Sequence, residues 1–124
     1  MSPDRDYRVF FYETASGESP VDEFLDGLPI KVRAKVMKRI EQLETYGPTL
    51  PRPYADIVRG KIRELRVRLG NLHCRFLYFF FGKIVVLTQG FLKKQTEIPE
   101  GEISRAERCR YDFMIRLERG EIEI

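Results

Sequence analysis

Residues 64–76 read Glu-Leu-Arg-Val-Arg-Leu-Gly-Asn-Leu-His-Cys-Arg-Phe. Apolar and polar residues alternate on both sides of Gly70-Asn71, which is typical of two half-buried strands joined by a two-residue turn. Glycine at the first turn position favours a type II′ turn, which fixes the register and sets Arg66 opposite Arg75. The face that we expect helices to cover is apolar and carries Leu65, Val67, Leu69, Leu72, Cys74 and Phe76. The opposite face carries Arg66, Arg68, His73 and Arg75.

This hairpin is predicted to belong to an antiparallel meander of three strands, over residues 64–69, 72–81 and 84–90. The middle strand ends in Phe76-Leu-Tyr-Phe-Phe-Phe81, which is apolar on both faces and therefore predicts a central, buried strand. By strand alternation Thr88 and Gly90 fall on the arginine face. The chain then leaves the sheet with Lys93 and Lys94.

The segments on either side of the meander predict an α+β fold. Residues 8–13 are β-branched and aromatic and predict a first strand. Ser19 is a good N-cap for a helix over residues 20–28, and Pro29 opens a longer helix that ends near Tyr46. A loop over residues 48–54 leads to the meander, and residues 102–118 predict a C-terminal helix. We expect residues 1–124 to form a single domain with an N-terminal strand and two helices packed on a twisted, mainly antiparallel sheet.

Composition indicates where such a protein works. The chain is 43% hydrophobic, begins with a polar stretch and has no run of eighteen apolar residues, so we expect a soluble, cytoplasmic protein without a signal segment. Cys74 and Cys109 have neither ligand-like nor disulfide-framework spacing and are interpreted as small core or interface residues. One histidine, separated cysteines and scattered carboxylates give no metal-ligand pattern, and no cofactor is expected.

Charge is divided sharply along the chain. Residues 1–30 hold 2 basic and 7 acidic side chains, residues 31–94 hold 15 and 4, and residues 95–124 hold 5 and 8, which gives net charges of −5, +11 and −3. A middle segment this basic is typical of a protein that binds a phosphate-rich partner. For the basic face of the second helix alone, a solvated surface is an equally good explanation.

The paired arginines also need an explanation. Two arginines directly opposite each other in an antiparallel pair repel, and an anion between them would remove that cost. The alternative is that Glu64, or an acid from the C-terminal segment, neutralises the pair.

The chain resembles a known family in six segments that occur in the same order. The segments are Ser19-Pro-Val-Asp-Glu-Phe-Leu25, Leu28-Pro, Glu64-Leu-Arg66, Arg75-Phe-Leu-Tyr-Phe-Phe80, Gly90-Phe-Leu-Lys-Lys94 and Ile98-Pro99. Together they are similar to the phage-derived, HigB-like branch of the RelE/ParE toxin superfamily. Two positions depart from the family pattern: His73-Cys74 precedes Arg75 where a tyrosine is common, and Gln89 stands where related sequences often carry histidine. A counterpart of the C-terminal catalytic tyrosine of some RelE proteins is not evident.

The resemblance implies a RelE-like fold and a type II toxin that cleaves messenger RNA on the ribosome. It also implies a cognate antitoxin, commonly a helix-turn-helix repressor, that holds the toxin inactive. Arg66 and Arg75 match basic residues of the family motifs, and Lys93 and Lys94 match the basic pair after the last strand.

Several of these residues have the chemical groups that RNA cleavage requires. Attack of a 2′-hydroxyl on its own phosphate needs a proton acceptor, cations that stabilise the phosphorane, and a proton donor for the leaving oxygen. Arg66 and Arg75 can make forked contacts to phosphate, and His73 is a candidate acid or base, although it could also be a simple surface residue. These three residues are the predicted catalytic set of a metal-independent endoribonuclease. Further RNA contacts are predicted for Arg68, Lys93, Lys94 and Lys61.

A second hypothesis uses the same scaffold differently. A ParE-like toxin would block a replication enzyme such as gyrase by binding it, without cutting RNA, and fold alone does not separate the two functions. The clustering of Arg66, Arg75, Lys93 and Lys94 near one sheet face favours the nuclease, because protein-binding surfaces more often show exposed aromatic residues or mixed charge.

Overall fold

Five strands and three helices make up the chain in a computed structural model that describes residues 5–124. In order they are β1 (Arg8–Phe11), α1 (Pro20–Asp26), α2 (Ile30–Tyr46), β2 (Ala55–Arg59), β3 (Ile62–Leu69), β4 (Leu72–Phe81), β5 (Ile84–Leu92) and α3 (Glu100–Glu118), with one 3₁₀ turn at Gly47–Thr49.

The strands form one sheet in the order β1-β5-β4-β3-β2. The three pairs along the chain from β2 to β5 are antiparallel, and only β1 runs parallel to its neighbour β5. The apolar strand β4 lies at the centre, as its sequence predicts. The expected α+β architecture, with a mainly antiparallel sheet and a C-terminal helix, is confirmed.

Helices cover both faces of this sheet. α1 and α2 pack on one face over a core that includes Leu65, Val67, Cys74 and Phe76, all fully buried. α3 packs on the other face, where Phe113 contacts the rings of Phe10, Phe79 and Phe81. The arginine face therefore does not lie open to solvent along its whole length, because α3 crosses it from Arg59 of β2 to Tyr12, directly after β1.

The predicted hairpin register is confirmed. Arg66 pairs with Arg75, Arg68 with His73 and Leu69 with Leu72. Gly70 has φ of 59° and Asn71 does not have a positive φ, which fits a type II′ turn. Of the apolar face, Leu69 is exposed and Leu72 is half-buried, since both lie beside the turn at the tip of the hairpin.

The predicted start of α1 is confirmed as well, since the Ser19 hydroxyl accepts a hydrogen bond of 3.3 Å from the Asp22 amide. α1 ends at Asp26, two residues early, and β1 ends at Phe11 rather than residue 13. β5 runs two residues further than predicted, to Leu92, and α3 begins two residues earlier, at Glu100.

Two features differ from the prediction. β2 was not predicted and adds an edge strand beside β3.

The pairing of β4 with β5 is irregular, with a bulge between Leu77 and Tyr78. As a result, Leu77 lies opposite Gln89 and Phe76 lies opposite Gly90. This irregularity reverses the alternation, so Gly90 lies on the face of α1 and not on the arginine face. A Cβ at Gly90 would lie 2.6 Å from the Phe24 ring and 2.7 Å from the Phe76 ring.

Both cysteines are buried and unpaired, as the sequence predicts. Among residues 5–124, no helix is long and apolar enough to cross a membrane. The expected absence of a signal segment falls in part on residues 1–4, which lie outside the described residues.

Candidate functional site

A row of side chains crosses the sheet on the arginine face. Arg66 of β3 stands opposite Arg75 of β4, and Arg75 stands opposite Phe91 of β5. On the other side, the Arg66 amide donates a 2.8 Å hydrogen bond to the Tyr54 carbonyl just before β2 begins. β2 pairs no further along β3 than Leu65, so from Val67 onward β3 pairs with β4 on one edge and its other edge is open.

A cleft of about 450 Å³ lies at this open end. The side chains around it come from α2, from the loop before β2 and from the arginine face of the hairpin. They are Lys35, Arg39, Pro53, Tyr54, Arg66, Arg68, His73 and Arg75. The Lys35 ammonium reaches around the edge of β3 and donates to the Arg68 carbonyl, which no strand partner satisfies.

A second hollow of about 510 Å³ adjoins the first and shares His73 and Arg75 with it. Its other side chains belong to the segment after β5: Lys93, Lys94, Gln95 and Thr96. Around the two hollows, five lysine or arginine side chains from β3, β4 and the segment after β5 surround His73, and α2 adds two more. This cationic surface, formed by Lys35, Arg39, Arg66, Arg68, Arg75, Lys93 and Lys94 with His73, is called the cationic groove below.

Arg75 lies at the centre of the groove and is only 8% exposed. Its Nη1 donates to the Cys74 carbonyl at 3.1 Å, and its Nε lies 3.7 Å from Glu64 Oε1. That Nε is buried and has no hydrogen-bond partner among the described residues. Burial lowers the pKa of Arg75 from its ordinary value, Glu64 opposes this shift, and the Arg66 charge adds to it. A guanidinium remains charged at neutral pH, so Arg75 is a buried cation that lacks part of its hydrogen bonding.

Arg66 is more fully paired than Arg75. Its Nε donates to Glu64 Oε1, and its Nη2 lies 3.3 Å from Asp56 Oδ2. Glu64 is 4% exposed and lies between the two arginines. The alternative explanation for the arginine pair is therefore correct in part, because Glu64 contacts both arginines, while Asp56 of β2, which was not considered, also pairs with Arg66. No acid of the C-terminal segment contacts Arg66 or Arg75 within 4.0 Å among the described residues.

His73 is half-buried and borders both hollows. It stands opposite Arg68, which is exposed and donates through Nε to the Gly70 carbonyl at 3.3 Å. The His73 carbonyl accepts from the Lys93 amide at 2.8 Å, and this bond holds the basic pair beside the histidine.

Gln89, at the position where related sequences often carry histidine, is fully buried and does not border the groove. Its Nε2 donates to the Glu102 carbonyl at 2.7 Å, so it attaches β5 to the first turn of α3. The groove therefore contains one imidazole, that of His73, and position 89 adds no acid or base to it.

Lys61 is not brought to the groove. It lies in the turn between β2 and β3 and is exposed. Arg66 lies five positions further along the chain, a distance of roughly 16 Å at the usual rise per residue of a strand. Its contact with RNA stays a prediction.

Three groove residues were not predicted as site residues: Lys35, Arg39 and Tyr54. Lys35 and Arg39 are four residues apart on α2 and share one side of it, a signal that the sequence contains. They reach the arginines because β2 leaves the edge of β3 open beyond Leu65, and the sequence does not show this open edge. Tyr54 lies at the end of the loop predicted over residues 48–54, and its place beside the arginines depends on β2, which begins directly after it and was not predicted.

Among residues 5–124, no group of three or more histidine, cysteine, aspartate or glutamate side chains is placed to hold a metal ion. The chemistry available in the groove comes from guanidinium, ammonium and imidazole groups.

Comparison with known proteins bears on these residues. Residues 23–111 match the family described as "Phage derived protein Gp49-like (DUF891)". That match includes every residue of the cationic groove. Among solved structures, the chain is similar to the archaeal RelE of a RelE-RelB complex from Pyrococcus horikoshii OT3, with 18% identity and a TM-score of 0.47 over 73% of this chain and 99% of that chain. This likeness is too distant to say more about the site.

No curated protein sequence matches the chain. The family match alone spans well over half of the sequence and contains the arginine pair, the histidine and the basic pair. The chain therefore belongs to the phage-derived Gp49-like family, a RelE-like toxin family.

Proposed function

We propose that this toxin, acting as a single domain over residues 1–124, is an endoribonuclease that cuts messenger RNA bound to the ribosome. The observation that carries the proposal is Arg75, a buried guanidinium whose Nε makes no hydrogen bond to the described residues, at the centre of a groove lined by six other cations. A buried cation that lacks part of its hydrogen bonding is stabilised by an anionic ligand with several acceptor oxygens, such as a phosphate.

The proposed reaction uses the chain's own side chains. The 2′-oxygen bonds to the adjacent phosphorus, the bond from phosphorus to the 5′-oxygen breaks, and a 2′,3′-cyclic phosphate forms. His73 takes the proton from the 2′-hydroxyl, and the leaving 5′-oxygen takes a proton from solvent water. Arg75 and, after release from Glu64, Arg66 stabilise the charge on the phosphorane.

The proposal includes a protein partner. The basic middle segment, with its net charge of +11, favours a cognate antitoxin that covers the groove with an acidic segment. Such antitoxins are commonly helix-turn-helix repressors in the family that the sequence resembles.

Arg75→Lys tests the proposal. Lysine keeps the charge but loses the fork, so we expect cleavage to fall by roughly thirty- to a thousandfold, in line with about 2–4 kcal/mol of transition-state stabilisation. The measurement is primer extension on cellular messenger RNA after brief expression. Arg119→Lys, an exposed arginine at the end of α3, is the matched control and should cut like the native chain.

Two results would contradict the nuclease. The native chain would arrest growth without new RNA ends, or Arg75→Lys would cut as well as the native chain. Arrest without RNA ends, together with inhibition of gyrase in a supercoiling assay, would instead support the ParE-like protein blocker.

A further inference from the structure

Tyr54 lies in the same cross-strand row as the two arginines. Its carbonyl accepts from the Arg66 amide at 2.8 Å, and Arg66 in turn pairs with Arg75. Neighbouring strands are about 4.8 Å apart, so the backbones of Tyr54 and Arg75 are separated by roughly 10 Å. All three side chains line the same cleft. The Tyr54 ring thus lies in the same row as the Arg75 guanidinium, which we propose binds phosphate, with β3 between them.

The ring of Tyr54 is held in place by a second cation. The Arg39 guanidinium carbon lies 4.0 Å from the ring centroid, and Arg39 Nη1 donates to Gln42 Oε1 at 2.7 Å. Tyr54 is nevertheless 37% exposed, and neither hydrophobic core of the described chain includes it. Core packing therefore does not account for an oriented aromatic side chain on the rim of a cationic cleft.

Single-stranded RNA offers the complementary chemistry. An unstacked base packs on aromatic rings and on arginine planes, while its phosphate binds forked cations. We propose that Tyr54, oriented by Arg39, is the stacking platform for one nucleobase of the RNA whose phosphate Arg75 binds. This inference rests on the proposed nuclease function and adds to it a subsite that admits only an unpaired base, because a base inside a duplex has both faces covered.

The test measures how base removal and Tyr54 replacement combine. The probe is a short, fluorescent, single-stranded oligoribonucleotide with 2′-O-methyl groups, which lacks the attacking hydroxyl, and a series of it with one abasic position at a time. Binding to the native chain, Tyr54→Ala, Tyr54→Phe and the control Tyr111→Ala is followed by anisotropy. Tyr111 is 70% exposed on α3 and lines neither hollow of the groove. Circular dichroism checks that each variant is folded.

We expect Tyr54→Ala to weaken binding of the intact probe by about 5- to 150-fold, the range for loss of one base stack. One abasic position should weaken binding to the native chain by a similar factor, and at that position Tyr54→Ala should cause no further loss. Tyr54→Phe and Tyr111→Ala should bind like the native chain, because stacking needs the ring and not its hydroxyl.

Equal binding of the intact and abasic probes, or losses that multiply at every position, would overturn the inference and leave the nuclease proposal standing. Failure of the native chain to bind any probe, together with absence of RNA cutting in cells, would overturn the nuclease proposal and the subsite with it.

Discussion

At the scale of single residues, the groove depends on the Glu64 carboxylate, which Arg66 and Arg75 share unequally. Glu64 contacts Arg66 closely and Arg75 only at 3.7 Å, and both Glu64 and Arg75 are buried. Without Glu64, Arg75 would have no acid within 4.0 Å among the described residues and Arg66 would keep only Asp56, so the two guanidinium groups would repel each other more strongly. We therefore expect Glu64 to stabilise the free protein and, if the proposed function is correct, to share its arginines with phosphate when RNA binds.

Glu64→Gln tests this role. We expect the free energy of unfolding to fall by about 1–3 kcal/mol, because the amide keeps an acceptor but removes the charge that offsets the arginines. Urea unfolding with and without inorganic phosphate provides the measurement. Phosphate should restore more stability to Glu64→Gln than to the native chain, since an anion can replace the carboxylate. An unchanged unfolding midpoint, equal to that of the exposed control Glu97→Gln, would argue against the role.

His73→Gln separates the two interpretations of the histidine. If His73 accepts the 2′-hydroxyl proton, the variant should cut RNA on the order of a hundred- to ten-thousandfold more slowly and still bind a non-cleavable oligoribonucleotide. Cleavage and binding are measured on the same purified protein. Native cleavage by His73→Gln would make the residue a neighbour of the site without a part in the chemistry.

At the scale of secondary-structure elements, β5 and its irregular pairing decide which residues reach the groove. The bulge opposite Leu77 turns Gln89 toward α3 and packs Gly90 against Phe24 and Phe76. β5 can then continue to Leu92 and deliver Lys93 beside His73.

Gly90→Ala should disturb this arrangement. The added methyl group would lie 2.6–2.7 Å from two packed rings, so we expect a loss of about 1–3 kcal/mol in the free energy of unfolding. Gly101→Ala is the control, because a Cβ at this position in α3 meets nothing within 4 Å, and it should be neutral or stabilising by up to about 1 kcal/mol. Urea denaturation of both variants gives the comparison, and equal stabilities would contradict the close packing at Gly90.

Tyr12, which directly follows β1, joins that strand to α3. Its hydroxyl donates to Asp112 at 2.6 Å, and burial followed by this hydrogen bond raises the pKa of Tyr12 from 10.0 to about 12. The folded state thus keeps a proton that the unfolded state loses above pH 10, so this stability is present below pH 10 and is lost as the pH rises through 12.

Tyr12→Phe should therefore cost about 1 kcal/mol at neutral pH and show a smaller loss of stability than the native chain above pH 10. Tyr78, whose pKa burial also raises to about 12, titrates in the same window and keeps part of that loss in the variant. Urea titrations on both sides of pH 10 give the result, and parallel curves for the two proteins would contradict the assignment.

The same elements show what sequence can predict. The hairpin of residues 64–76 combines strict alternation with a turn that glycine specifies, so its register and both faces were predicted correctly. β2 was not predicted because it is a short edge strand of mixed charge directly after a proline-containing loop. The bulge leaves no mark in the residue pattern, so Gly90 was assigned to the wrong face. Tyr54, Lys35 and Arg39 reach the site only through tertiary packing around the open end of β3.

At the scale of the whole molecule, charge is separated in space as well as along the chain. The groove collects cations from α2, β3, β4 and the segment after β5, while acids of the C-terminal helix pair elsewhere. Glu100 and Glu107 bind Arg59 of β2 at 2.8 and 2.7 Å. These two acids therefore attach α3 to the edge strand β2, away from the groove.

Lys93→Ala should lower the salt dependence of RNA binding. Removing one contact to a backbone phosphate reduces the slope of log affinity against log salt by about 0.7 for a single strand, with little effect on the rate of cutting by bound enzyme. Lys83→Ala, at the turn between β4 and β5, is the control and should leave the slope unchanged. Anisotropy over a salt series measures both, and Lys61→Ala in the same series shows whether RNA extends to the turn before β3. An unchanged slope for Lys93→Ala would place the RNA outside the groove.

The parallel pairing of β1 with β5 has a consequence for the newborn chain. β1 is made before every other element of the sheet, yet its partner β5, which pairs Ile84 with Arg8, is made only after the β3–β4 hairpin. Until then β1 and the outer side of β4 both present unpaired backbone, the kind of edge that recruits strands from other chains. A polypeptide released before β5 is complete can already contain the arginine pair, but its sheet lacks a neighbour for β1. Prematurely terminated products of this gene are therefore expected to aggregate and not to poison the cell.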